Sequence, residues 1–318
     1  MKKPSFYLAL AALLLTSCGG TDAKTVHIVQ LGTHTSLNEI NDAIHAKLKN
    51  SPYAVKDYNA EFSMDTISQI MASIKDNADL VIAIATPVAQ AAYNTLKDDT
   101  PIVFAAVSDP VGAGLLKNLD APEGNITGTS DAIQVELILD KALVIDPQLK
   151  RLGFIYNPAE ANSVANLAKV DAYCKTKGIA LTSRTISTAG EMSEVASALV
   201  DQVGAIFVSD DNTVASAMTP LSEACRKAKI PCYTGADSMV KDGGMFCIGI
   251  NYTTLGTYTG QMALDILGGK KVSEVPVKIF DEDLSLYLNS SYVQEAGITI
   301  PSSILEDPNL VTITDPEE

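Results

Sequence analysis

"DLVIAIATPVAQAAYNTLKDDTPIVFAAV" (Asp79–Val107) decides the fold. "DLVIAIA" is a short continuous apolar run, which suits a strand buried on both faces. Thr86-Pro87 then makes a helix start, with Thr at the cap and Pro at the first helical position. "PVAQAAYNTLK" continues at helical spacing, and "PIVFAAV" is a second continuous apolar run. Strand, helix and strand in this order predict a parallel pair joined by a covering helix.

The same alternation extends in both directions. "TVHIVQL" reads as a strand, and "LNEINDAIHAKLK" places Leu37, Ile40, Ala43, Ile44 and Leu48 on one helical face. Later come "RLGFIYN", "SVANLAKVDAYCKTKG", "IALTSRTI", "AIFVS", "TVASAMTPLSEACRKA" and "IPCYTG". The predicted class is α/β, doubly wound rather than a barrel.

An internal repeat divides the chain. "IVQLGTHTSLNEINDAI" from Ile28 aligns with "FIYNPAEANSVANLAKV" from Phe154, a shift of 126 positions. At that shift "ATPVAQAA" (Ala85–Ala92) meets "DNTVASAM" (Asp211–Met218), again where a strand passes into a helix. "TPIVFAAVSDP" and "IPCYTGADSM" align at a slightly larger offset. A period far above 50 residues indicates two lobes of one topology and not a solenoid.

The chain is expected to cross between lobes near "GNITGTSDA", near "IGINYTTLG" and near "IFDEDLSLYLN". One lobe would then comprise residues 25–130 plus about 252–282, and the other 131–251 plus about 283–318. Several crossings between two sheets make a hinge.

The N-terminus reads as a targeting segment. Lys2 and Lys3 precede a purely apolar run from Phe6 to Leu15, too short for the roughly 20 residues of a membrane-spanning helix. "LTSC" follows, so residues 1–17 are expected to be a cleaved signal, Cys18 the lipidated first residue, and 18–24 a tether. The net charge of −15 and the absence of a basic, aromatic-rich stripe argue against nucleic acid as a partner.

Cys174, Cys225, Cys232 and Cys247 have no CxxC spacing and no histidine set, so no metal site is expected. Cys225 and Cys232 either pair outside the cytosol or serve as small buried hydrophobes.

Ligands of open parallel sheets bind beyond the carboxyl ends of the strands, beside helix N-termini. The polar turns there supply the candidates: Thr86, Pro87 and Val88; Ser108 and Asp109; Asn157, Glu160, Asn162 and Ser163; Asp210, Asp211, Asn212 and Thr213; and Asp237. Several of these residue types also cap helices or make turns unaided. No nucleophile–base set, G-x-G-x-x-G or Walker A is visible, so neither an enzyme nor a cofactor is expected. Asp210 and Asp211 are adjacent and point to opposite sides of an extended segment, which does not suit the facing carboxyls of a glycosidase.

The stretches "AIATPVAQAA", "PIVFAAVSDPVGAGL", "NITGTSD", "YNPAEANSV", "DDNTVASA" and "GMFCIGINYTTLG", together with the lipid-attachment motif, resemble the ABC-transporter substrate-binding lipoproteins. The branch is the one that includes tryptophan- and tyrosine-binding proteins. "GTHTSLNE" departs from that family's pattern except at His34.

The resemblance implies a type I periplasmic-binding-protein-like fold, a membrane permease with its ATPase as partners, and an aromatic or similar hydrophobic amino acid as ligand. It places the protein outside the cytoplasm, held to a bacterial cell membrane only by its lipid. For such a ligand, Asp210 or Asp211 would hold the ammonium and the Thr86 helix start the carboxylate. Asn157, Glu160, Asn162 and Ser163 would close from the second lobe. A nucleoside or sugar ligand, or a sensor or adhesive role, remains the alternative.

Overall fold

The computed structural model describes residues 23–96, 99–282 and 284–315. The signal segment, Cys18 and most of the tether fall outside the described residues. No described helix is long and apolar enough to cross a membrane.

The chain opens with β1 (Thr25–Gln30), α1 (Thr35–Leu48), β2 (Ala54–Asn59), α2 (Met64–Ile74), β3 (Leu80–Ile84), α3 (Thr86–Thr95), β4 (Ile102–Ala105) and β5 (Ile126–Ser130). These strands form one parallel sheet in the order β2-β1-β3-β4-β5. The apolar run of β3 occupies its centre, where Ile82 pairs with Ile28 on one side and Val103 on the other. Helices cover both faces, so every residue of β3 and β4 is buried and no polar alternation appears in either strand.

The second lobe repeats the plan. It contains α4 (Val135–Ile145), β6 (Arg151–Tyr156), α5 (Ala161–Lys177), β7 (Ala180–Thr185), α6 (Met192–Val200) and β8 (Ala205–Val208). There follow α7 (Asn212–Ala215), α8 (Met218–Ala228), β9 (Cys232–Thr234), α9 (Asp237–Lys241) and β10 (Phe246–Gly249). The repeat seen in sequence is structural: β1 and β6 start 126 positions apart at Thr25 and Arg151, β2 and β7 at Ala54 and Ala180, and α3 and α7 at Thr86 and Asn212.

Next, α10 (Tyr252–Leu267) packs on α1, and β11 (Lys278–Ile279) joins the first sheet beside β5. β12 (Ser285–Asn289), α11 (Ser290–Ala296), α12 (Ser302–Leu305) and β13 (Leu310–Ile313) complete the second lobe. Its sheet runs β7-β6-β8-β9-β10-β12-β13, parallel except where β12 meets β10 antiparallel. The chain thus passes between sheets after β5, after β10 and after β11.

Aromatic side chains fill the second core. Phe154 and Phe207 are fully buried with ring centroids 5.9 Å apart, and Tyr233 meets Phe246 edge-on at 6.3 Å. Burial of each such ring contributes about 1.5–3 kcal/mol. Cys174, Cys225, Cys232 and Cys247 are buried free thiols, which realises the small-hydrophobe alternative.

Candidate functional site: a cleft between two carboxylates

The loop after β8 sends its two neighbouring aspartates in different directions. Asp211 is the N-cap of α7: its Oδ1 accepts from the Val214 N–H (2.9 Å) and its Oδ2 from the Asn157 N–H (2.6 Å). Glu160 completes the cap. Its carboxylate accepts from the backbone N–H groups of Asn212 (3.1 Å) and Thr213 (3.0 Å), from Asn212 Nδ2 (2.6 Å) and from Thr213 Oγ1 (2.9 Å). Asn157 Nδ2 donates to Thr213 Oγ1 (2.8 Å). Two acids therefore take up the first free donors of a four-residue helix. Burial, with the charge of Glu160 second, pushes the Asp211 carboxyl well above the usual range.

Asp210 turns into the space between the lobes. Its Oδ1 accepts from Asn166 Nδ2 (2.8 Å) and its carbonyl from Asn162 Nδ2 (3.2 Å), while its Oδ2 meets the hydroxyl of Ser108 from the first lobe. The same hydroxyl lies 2.9 Å from Asp131 Oδ1, and the Tyr252 hydroxyl donates to Asp131 Oδ2 (3.0 Å). Burial first, and then the charge of Asp131, pushes Asp210 up to about 7. Burial likewise raises Asp131.

These carboxylates line a narrow cleft with a free volume of about 20 Å³. Leu37, Ala106, Ala215, Ala236, Met239 and Tyr252 give it apolar walls, and His34, Ser36, Asn162 and Asn212 give it polar edges. Asn162 Oδ1 is buried and unpartnered among the described residues.

Polar contacts join the lobes at the rim. His34 Nε2–H donates to Asn212 Oδ1 (3.1 Å), Thr35 Oγ1 to Asp242 Oδ1 (2.9 Å), and Ser36 shares a hydrogen bond with Ser238. Lys241 pairs with Glu39 at 2.8 Å. Burial pushes His34 down to about 4, so its ring is neutral in this closed arrangement.

Of the residues expected from sequence, Asn162, Asp210 and Asn212 line the cleft, and Ser108 bridges its carboxylates. The others sit elsewhere. Asn157, Glu160, Asp211 and Thr213 build the α7 cap. Thr86, Pro87 and Val88 are buried in the first turn of α3, and Ser163 in that of α5. Asp109 accepts from the Gly112 N–H (2.8 Å) and so closes a turn. Asp237 is buried against Lys241 at 2.8 Å, one helical turn away.

No local pattern in the sequence marks Asp131, Tyr252, Ser36, Leu37 or Met239 as site residues, and His34 stands out only as a match within its loop. Asp131 and Tyr252 each begin a segment just after a crossing between lobes, and "NITGTSD" and "GINYTTLG" were read as boundaries. A reading that treats hinge-flanking polar and aromatic residues as cleft walls would have found both.

A family profile described as ABC transporter substrate binding protein matches residues 25–312. A tyrosine-binding protein of Clostridioides difficile (strain R20291) is 36% identical over 266 residues, covering 81% of this chain and 77% of that protein. The structure of an ABC domain in complex with L-Trp from Streptococcus pneumonia is 30% identical with a TM-score of 0.86, covering 92% of this chain and all of that one. The ligand-free, open structure of a substrate binding protein with adhesive properties from Clostridium difficile is 33% identical with a TM-score of 0.68, at the same coverage of this chain and again all of that one. The two-lobed architecture is the type I periplasmic-binding-protein fold.

The chain belongs to the ABC transporter substrate binding protein family.

Proposed function

We propose that this substrate-binding protein captures a free α-amino acid with an aromatic side chain between its lobes and delivers it to a membrane permease. One observation carries the reading: Asp131, at the crossing just beyond β5, and Asp210, beyond β8, are buried at one cleft and have no lysine or arginine among their partners in the described residues. Two such carboxylates call for a cation. Asn162 Oδ1 supplies a third acceptor at the same cleft, which matches the three N–H donors of an ammonium group.

The remaining groups suit the rest of an amino acid. α1 begins without a side-chain cap from His34, so its first-turn N–H groups and the Ser36 hydroxyl are placed to receive the carboxylate. Thr86, buried in the first turn of α3, does not line this cleft. Leu37, Met239 and Tyr252 offer an apolar wall for a ring. The tyrosine-binding relative and the L-Trp complex support an aromatic side chain.

Residues 25–130 with 252–282 would form one closing body, and 131–251 with 284–315 the other, with hinges at the three crossings. The higher TM-score to the L-Trp complex than to the open, ligand-free structure accords with lobes that meet here. Processing before Cys18 and lipidation there would hold the protein outside the cytoplasm at a cell membrane. No turnover is required: one oxygen of Asp211 caps α7 and the other accepts from the Asn157 N–H, so this acid is committed to structure.

Thermal-shift and calorimetric titration with L-tyrosine, L-tryptophan, L-phenylalanine and their N-acetyl forms tests the reading. A free amino acid at 100 times its dissociation constant should stabilise by about 2.7 kcal/mol, and its N-acetyl form should be inert. Equal binding of the acetylated forms, or none by any free amino acid, would overturn it.

A further inference from the structure

The hydroxyl of Ser108 touches two acids at once, Asp131 Oδ1 and Asp210 Oδ2. A hydroxyl has one proton and can donate to only one of them. An ionised carboxylate only accepts, so a proton on one of the two carboxyls would make both contacts full hydrogen bonds. The outer oxygens are already assigned: Tyr252 donates to Asp131 Oδ2 and Asn166 to Asp210 Oδ1. Such a proton would lie on the inner side, within the chain Asp131–Ser108–Asp210.

The surroundings offer no other compensation. Asp210 faces Asp131 beyond β5, Glu160 and Asn166 on the α5 side, Tyr252 on α10 and Ser108 beyond β4. Asp211, His34 before α1 and Asp237 on α9 are the other titratable groups nearby, and no lysine or arginine contacts the pair among the described residues.

We infer that ligand capture in this cleft is a proton exchange, in which the pair Asp131–Asp210 holds one proton while no ammonium is bound and releases it to solvent when an ammonium takes its place. The balance is one carboxylic O–H broken, one proton to bulk water, and one carboxylate–ammonium contact formed. Two ionised carboxylates around one ammonium replace one carboxylate and one acid. The inference rests on the amino-acid reading proposed above. Raised carboxyl values at both aspartates agree with it.

Titration calorimetry of L-tyrosine and L-tryptophan in buffers of different ionisation enthalpy counts the protons. The expected release is about one proton per ligand near pH 6, falling towards zero above about pH 8, with affinity weakening by up to tenfold per pH unit on the acid side. Infrared difference spectra of the wild-type protein give an independent readout. A protonated carboxyl band should be lost on saturation in the bound-minus-free difference spectrum, and that loss should be missing in Asp210→Asn and Asp131→Asn.

Tight binding with no proton release and no such band would overturn the proton exchange and leave the amino-acid reading standing. Absence of binding by any free amino acid would instead overturn that reading. His34 also becomes neutral on burial. Release that survives in Asp210→Asn and Asp131→Asn and disappears in His34→Gln would assign the proton to the imidazole and overturn the inference.

Discussion

At the scale of single residues, Asp210 and Asp211 differ in what their oxygens already hold. Asp211 satisfies two buried N–H groups, so Asp211→Ala should cost about 1–3 kcal/mol through the lost cap and the orphaned Asn157 amide. Melting temperature should fall while stoichiometry of binding is kept. Asp210→Asn should do the reverse, weakening amino-acid binding by roughly tenfold or more with little loss of stability, because charge-assisted hydrogen bonds contribute about 1.5–3 kcal/mol. Titration and melting of both variants check the pair.

The pH dependence has a definite sign. The folded protein keeps the Asp210 proton up to about 7, whereas the unfolded chain releases it in the ordinary carboxylate range. Over that window the folded state binds more protons, so stability attributable to Asp210 falls as pH rises. Ligand-free wild type should lose melting temperature relative to Asp210→Asn between about pH 4 and 7; parallel curves would refute this. Ala85 adds a backbone case, since it holds φ 82° and ψ 154° just before α3, a region that favours glycine. Ala85→Gly should raise stability by up to about 1–2 kcal/mol in denaturant titrations despite the entropy cost of glycine.

At the scale of elements, α1 and α10 show why a helix can need glycine in its middle. A Cβ on Gly256 would stand 2.5 Å from the Ile40 carbonyl oxygen, and one on Gly260 would stand 2.8 Å from Lys47 Cβ. Alanine would gain about 1 kcal/mol of helix propensity, yet overpacking against backbone costs about 1–3 kcal/mol. Gly256→Ala should therefore destabilise on balance. It should also weaken ligand binding, because α1 carries Ser36 and Leu37 into the cleft. Chemical denaturation and titration on the same variant check both.

These two helices also mark what sequence patterns convey. The apolar face of α1 was readable from spacing at Leu37, Ile40, Ala43, Ile44 and Leu48, all of which are buried. Its partner was not readable, since α10 arrives some 200 residues later, and a helical face names the need for a neighbour without naming which one.

At the scale of the whole molecule, closure rests on few direct contacts between the lobes. Glu39 and Lys241 form a partly exposed pair, which is worth about 0.2–1 kcal/mol in general. Glu39→Gln should weaken ligand binding by no more than about fivefold and should leave the melting temperature nearly unchanged, as titration and scanning calorimetry can check. A much larger effect would mean that rim contacts, rather than the ligand, hold the lobes together.

The sequence by itself determined the α/β class and the two-lobe repeat, because these follow from local apolar runs, helix starts and an offset visible along the chain; the family came from the resemblance of its motifs to known members. It also brought Asn162, Asp210 and Asn212 to the right end of their sheet. Only the tertiary structure decided that Asp211 is a cap and Asp210 a cleft wall, and that Ser108 and Tyr252 of the other lobe and Asp131 at the crossing gather around Asp210. The physical reason is that burial and the pairing of like charges depend on how the two lobes face each other. Residues 108, 131, 210 and 252 are far apart in the chain, and no local pattern records that a single hydroxyl stands between two of their acids.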